Sequence, residues 1–438
     1  MTGPLLAATP GKPEASDTGA ALSSDLAPDK SVAASIESSS PPPIGVTGDW
    51  NGIRKHLMNE GVTITSQYQS QPAYNLSGGD RHVLREAGQF DIAAKADLNK
   101  LVGLSGGTFK ALATWRRGED LGSASGIDPL EQVQEIYGRG HTWRLTQFWY
   151  EQVLGEHASL KLGRSAPNED FAAFSCNFMN LSFCSAQPGS LVGSYWYDYP
   201  ISQWTARLRV TNADGYLQGA AYEVNPKNLE NRFTIGYLHG ATGVLLPVEA
   251  GWMPVLGPAA LPGLYKIGAW YSSVDAPDVT AQVGSAPGSS SSGAAQEHSG
   301  RYGGWINLEQ QVTGMAHDRH ALSGITLFLN ATLADRRTSF LDQQISIGMF
   351  LNHPFASRSK DVLGIGLART HVNDRVTEAQ RLAGNIVVQQ SEYAGELFYE
   401  AHVASWFTLR PDLQYIHHPG GRNVHDAVVV GLRSAIAF

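Results

Sequence analysis

The chain ends on Asp426-Ala-Val-Val-Val-Gly-Leu-Arg-Ser-Ala-Ile-Ala-Phe438, DAVVVGLRSAIAF. Val428, Val430, Leu432, Ile436 and Phe438 share one parity, while Val429, Gly431, Arg433, Ala435 and Ala437 share the other. A period of two is the signature of a strand. Chain ends fray unless something holds them, and a terminal strand persists only when both its edges are paired or covered. Two settings meet that condition: a strand tucked into a soluble sheet, and the closing strand of a β-barrel. This segment fits both, so the choice falls to the rest of the chain.

A chain of 438 residues suffices for one large barrel or for two to three ordinary domains. Charged residues make up 16%, against about 25% in typical soluble domains. Glycine, at 47 residues, exceeds the average of roughly 7%. Low charge suits a large lipid-facing surface, and glycine suits many turns. No apolar run approaches the ~20 residues of a spanning helix, which excludes a helical membrane protein. A membrane barrel stays open, because its signal is alternation. A net charge of −8 with no basic tract argues against a nucleic-acid partner. The start, MTGPLLAATPGKPEAS, lacks the basic, apolar and small-residue succession of a secretory leader. Either a leader has been removed or the start is misplaced, or export is wrong.

Residues 1–45 are rich in Ala, Ser and Pro and read as a disordered linker ahead of a barrel domain at 46–438. TGDWNGIRKHLMNEG predicts one short amphipathic helix at about 49–60, with Thr47 or Asp49 as cap and Gly61 as stop. From there the period becomes two. In WTARLRVT, Trp204, Ala206, Leu208 and Val210 oppose Thr205, Arg207, Arg209 and Thr211, and similar segments recur to the end. Many are 9–12 residues long, as tilted membrane strands require. Long and short links alternate between them, which is the barrel arrangement of long external loops and short periplasmic turns. About 17 candidate strands can be marked, and 231–240 breaks the alternation. Assigning it to a loop leaves 16, an even number, with the last strand pairing the first. The fold class is therefore all-β: a 16-stranded antiparallel transmembrane barrel with a short N-terminal helix.

Taken in order, TGDWNGIRKHLMNEGVTI, YNLSGGDRH, AGQFDIAAKADLNKLVGLSGGTF, VQEIYGRGHTWRLTQFWYEQ, LKLGRSAPNEDFAAFSCNFMNLSFC, YEVNP, GVLLPVEAGW and LRPDLQYIHHPGG resemble the carbohydrate-selective outer-membrane porin (OprB) family from about Gly48 to Phe438. The resemblance implies passive diffusion of monosaccharides, glucose especially, through a 16-stranded barrel. It also implies an N-terminal segment facing the periplasm and a cystine within the third external loop. The partners implied are monosaccharide solutes, outer-membrane lipid and the barrel-assembly machinery, the last reading the C-terminal strand that ends at Phe438. The absent leader and the long Ala/Ser/Pro tail depart from the pattern.

A diffusion pore needs a wet constriction with hydrogen-bonding walls, and no nucleophile, cofactor or metal. The third loop, 166–202, is the expected constriction, with Asp170, Asn177, Asn180 and Trp196 as its candidates beside Asn168, Tyr195 and Tyr197. Cys176 and Cys184 are the only cysteines; they are incidental if reduced and one small loop if oxidised. Their spacing does not suit a zinc pair. With the pairing that the resemblance implies, the bridge would stiffen the loop by about 2–3 kcal/mol. Candidate wall residues on the polar parity are Lys95, Lys110, Arg116, Arg144, Arg207 and Arg209, opposed by Asp91, Asp97, Glu396 and Glu400. Opposed charges offer hydroxyls both donors and acceptors, although a wet wall would carry them too.

Glu151 and Arg164 fall on the apolar parity, which asks for a bulge, a rim position or a different register. The aromatics of HTWRLTQFWYEQ and GWINLEQQ are expected in the interface girdles rather than as sugar stackers. His417, His418 and His425 read as external-loop histidines rather than a metal site, and LEQQ, DQQ and QQSE as rim polarity. No G-x-S-x-G elbow or His–Ser pairing supports a barrel lipase or protease. The alternatives are a porin for other small solutes, such an enzyme, and a soluble β-rich lectin.

Overall fold

Sixteen long strands carry the chain, and the apolar parity of each points outward. In QWTARLRVT, Leu208 is 51% exposed and its neighbour Arg207 2%. Leu217, Ile267 and Leu367 are likewise exposed, while Lys266, Glu249 and Glu396 are buried. A water-soluble sheet shows the reverse, so the outer surface is built to meet hydrocarbon.

The computed structural model describes residues 45–438 except 175–176, 185, 234, 236–238, 284–295 and 318–319. The segment read as a disordered linker therefore lies, apart from Gly45, outside the described residues. The strands are β1 (Val62–Ser77), β2 (Leu84–Asp97), β3 (Gly107–Gly118), β4 (Trp143–Leu154), β5 (Ala158–Ser165), β6 (Gln203–Thr211), β7 (Gly215–Val224), β8 (Gly243–Trp252), β9 (Leu261–Ser272), β10 (Arg301–Gln311), β11 (Gly324–Ala334), β12 (Leu341–Asn352), β13 (Val362–Val372), β14 (Glu392–Ala404), β15 (Phe407–His417) and β16 (Ala427–Ala437). Each pairs antiparallel with the next, and β16 pairs with β1 from Gln67↔Ala437 to Ser77↔Val428. The sheet is closed. The described residues of 231–240 form no strand, as the alternation required.

The link rule is looser than expected. Links 155–157 and 405–406 on the turn rim are short, but the link 335–340 on the loop rim is shorter than 312–323 on the turn rim. Two out-of-pattern residues find different explanations. The β3–β4 register shifts between Leu112 and Ala113, whose partners are Gln147 and Leu145. The extra residue, Thr146, moves the inward parity from Arg144 to Trp149 and Glu151. Arg164 keeps the outward parity opposite Trp204. It lies at the loop rim, buried, donating to the Ser202 carbonyl at 2.7 Å and Asn228 Oδ1 at 2.9 Å.

Both ends of the barrel domain meet at the seam. A 3₁₀ turn, Trp50–Gly52, runs into the helix Ile53–Asn59, and Gly61 follows at φ +98°. Val46 N donates to the Ala437 carbonyl at 2.9 Å, and Phe438 N to that of Ser66 at 2.9 Å. The buried Arg54 guanidinium donates to the main-chain oxygen of Phe438. A Cβ on Gly45 would meet the Phe438 backbone at 2.2 Å, so only glycine passes here. The last strand therefore ends held from two sides. Arg54→Ala should lower barrel stability by about 2 kcal/mol, the scale of a charge-assisted hydrogen bond. The check is the temperature at which the folded band converts to the unfolded one on a gel; an unchanged temperature would remove Arg54 from the seam.

Candidate permeation site

The loop 166–202 does not stand off the rim. Its described residues run down into the barrel and round its inner wall, gripped at several points by inward side chains. It begins at the basic wall of β4–β6. Asp170 takes Lys161 at 2.6 Å and Arg207 at 3.6 Å, and Arg207 also pairs with Glu151. Tyr222 donates to Asp170 at 3.2 Å. The Lys161 ammonium lies 5.1 Å from the ring centre of Trp149. Burial alone would raise the Asp170 carboxyl, but Lys161 and Arg207 outweigh it and hold it at about 2. Its neighbour Glu169, 4.0 Å from Lys161, is raised by burial to about 7.

Further along, three loop phenylalanines, Phe174, Phe178 and Phe183, pack on Phe328, Phe350 and Phe398 of β11, β12 and β14. Apolar side chains face inward there because the loop covers them. Asn180 is buried; its amide donates to Glu396 at 2.7 Å and its side chain to Gln414 at 3.0 Å. The Asn177 carbonyl accepts from Arg410. The returning limb places Trp196 edge-on to Trp270 and Trp305, at 5.6 Å from each, with its indole N–H on Asp198 at 3.0 Å. Asp198 is raised by burial to about 8. Tyr199 then reaches the opposite wall, sharing Asp91 and Thr114 of β2 and β3.

The wall candidates separate by neighbourhood. Asp91 accepts from Thr114 at 2.7 Å and Gln89 at 2.8 Å. Arg116 donates to Gln89 at 2.7 Å and lies over Tyr199. Arg209 donates to Gln218 at 3.0 Å and lies over Tyr216. Glu400 pairs with Arg410. Lys95 and Lys110 are cross-strand partners on the inward face, and Lys95 stays exposed. Arg144 instead donates to the carbonyls of Arg139 at 3.0 Å, Glu230 at 2.9 Å and Asn228 at 3.2 Å, clamping two external loops. Both oxygens of Glu396 are held by the Met179 and Asn180 amides, each at 2.7 Å. Asp97 caps the short helix Leu98–Val102 at the turn rim.

Other expectations need correction. Trp196 is fully buried in an indole cluster, so its faces meet protein. Trp305 belongs to that cluster and Trp149 points inward, so neither is a girdle residue; Trp143, outward and exposed, is one. Gln344 of DQQ and Glu392 of QQSE are buried rather than rim groups. Gln344 donates to Glu131 at 3.3 Å, and Glu392 takes loop amides. Among the described residues no cluster of His, Cys, Asp and Glu is arranged to hold a metal; His417 lies 2.8 Å from Asp426. Cys184 is buried, and Cys176 lies outside the described residues.

The alternation of β5 could have nominated Lys161. Tyr199, Glu249 and Glu392 carried no local signal, since each acts on a segment far away in sequence: Tyr199 on two strands, Glu249 and Glu392 on loops. Asp170 gives a testable consequence. A carboxyl held low stabilises above its ordinary range and loses that contribution as pH falls through its folded value. Below the range in which Glu169 takes up its proton, at about 7, the Asp170 contribution to channel conductance should thus hold down to about pH 4 and be lost toward about 2. Asp170→Asn should show the acid behaviour at neutral pH with no further acid step. An unaltered acid step in that variant would assign it to another group.

Comparison with known proteins agrees with this geometry. The family model described as carbohydrate-selective porin, OprB family, matches residues 81–438. Porin B of Pseudomonas aeruginosa is 38% identical over 431 residues, covering 93% of this chain and 94% of that one. A structure titled as the high-pH structure of Pseudomonas putida OprB superposes with a TM-score of 0.84 at 38% identity, covering 90% of this chain and 99% of that one. The low-pH structure of the same protein gives 0.59 at 28% identity, covering 90% and 98%. A channel rather than an enzyme is what this family and this barrel point to. The chain belongs to the carbohydrate-selective outer-membrane porin (OprB) family.

Proposed function

We propose that the protein is an outer-membrane channel through which neutral monosaccharides such as glucose diffuse passively into the periplasm. The observation that carries this reading is the pairing of interior charge. Lys161 and Arg207 meet Asp170 and Glu151, Glu400 meets Arg410, and Asp91 and Arg116 meet through Gln89. Paired charges leave many donors and acceptors at short spacing with little net field, which suits a hydroxylated neutral solute better than an ion. Lys95, Lys110, Arg116, Arg207, Arg209, Asp91 and Glu400 are the wall groups we assign to this path, with Asp170 and Asn177 as the loop groups we assign to it. Porin B and OprB, as named relatives, support the sugar class. The outward apolar parity supports a lipid partner. The C-terminal strand ending at Phe438 is the segment we assign to the assembly machinery.

Liposome swelling with detergent-purified protein tests the reading. Glucose should enter faster than a size-matched amino acid or a disaccharide, and Arg207→Ala should reduce that preference. Equal rates for all three would leave a general porin for small solutes, and no swelling would reopen the binding and enzymatic readings.

We also infer that Cys176 and Cys184 form a bridge that stiffens the constriction loop. Its support is that Cys184 is buried in that loop and that no free cysteine occurs among the described residues. Reduction should alter conductance or the unfolding temperature. If neither moves, the bridge does not set the loop.

A further inference from the structure

Four buried ionisable side chains of the inner wall end on the backbone of the constriction loop, and the carboxyl of one of them, Glu396, also meets that of Asp412. Glu249 of β8 accepts from the Ala172 amide at 2.8 Å. Lys266 of β9 donates to the Ala173 carbonyl. Arg410 of β15 donates to the Asn177 carbonyl. Glu396 of β14 accepts from the Met179 and Asn180 amides. Acids meet N–H groups and bases meet carbonyls, and the four strands are spread around the wall that the loop covers. The remaining oxygen of Glu249 takes Tyr216 at 2.8 Å and Gln218 at 2.9 Å, and its Oε2 also takes Trp305 at 2.9 Å. The second external loop is gripped in the same way: Glu392 takes the amides of Leu130 at 2.7 Å and Glu131 at 3.3 Å.

A loop folded into a barrel brings backbone donors and acceptors that a neighbouring strand or helix would otherwise satisfy. A carboxylate is acceptor-only and can serve two adjacent amides. A glutamine in its place turns one acceptor into a donor and sets N–H against N–H, a repulsive contact in a buried site.

We propose that Glu249, Lys266, Arg410 and Glu396 are positioning residues that determine solute size selection. They fix how closely the loop lies against the inner wall that it covers, and so the width of the gap left for solute. This rests on the porin reading given above. It also changes the role of Glu396 from a group that meets solute to one that holds the loop.

The test compares Glu396→Gln, Glu249→Gln and Glu396→Asp in planar bilayers and in liposome swelling with glucose, a disaccharide and a trisaccharide. Both glutamine variants should keep the folded mobility of the barrel, show a larger or noisier conductance step in potassium chloride, and lose discrimination between glucose and the disaccharide. Glu396→Asp keeps a carboxyl that can accept from both amides and should restore much of both. A purely structural role would shift the unfolding temperature and leave the size cut-off alone, and that result would overturn the proposal. Should a glutamine variant not assemble, Lys266→Met and Arg410→Met read the same grip from the carbonyl side. Unaltered conductance and cut-off in those two would overturn it as well. The salt conductance needs no sugar selectivity, so a failure of the sugar reading is distinguishable from a failure of this one.

Discussion

Inside hydrocarbon no water is available to satisfy a backbone N–H or C=O, so a spanning sheet must close on itself. The pairing of β16 with β1 meets that requirement, and much of the rest follows from it. Closure fixes an inside and an outside. The period of two then sends every second side chain to lipid and every other one to an enclosed space. The exposed Leu208 beside the buried Arg207 is that division at the scale of one peptide bond. The seam also fixes the chain end: Arg54, Gly45 and Val46 all meet the last two residues.

An enclosed space lined with polar groups raises its own problem. The described residues of the loop 166–202 line part of it and bring backbone of their own. Two kinds of contact hold it. Apolar contacts, the phenylalanine and indole clusters, remove area from water and need no direction. The charged contacts supply direction, with acids on amides and bases on carbonyls. Buried ion pairs contribute modestly to stability, because desolvation offsets attraction. Their consequence here is geometric: they set which groups remain open to the lumen, and they leave Asp170 ionised between Lys161 and Arg207.

The fold was legible because a barrel strand writes itself locally. Alternation, the even strand number and the exclusion of 231–240 needed only residues close in sequence. The inward parity of Arg207, Arg209, Lys110 and Asp91 was legible for the same reason. Glu151 was not assignable, because one extra residue at Thr146 inverts the parity after it, and a bulge has no mark in composition. Trp196 and Trp305 were misread because aromatics mark a membrane interface and a buried core equally well. The buried roles of Glu392 and Gln344 depended on loops more than two hundred residues away.

The sequence by itself determined the barrel, its strand number, the face of most side chains and the family. All of these follow from short-range periodicity and from an ordered set of motifs. Only the tertiary structure decided which inward charges meet the lumen and which hold a loop. Glu396 and Glu400 share one strand and one parity, yet one binds backbone amides of the constriction loop and the other an arginine. That difference is made by the path of a loop through three dimensions, which no local pattern encodes.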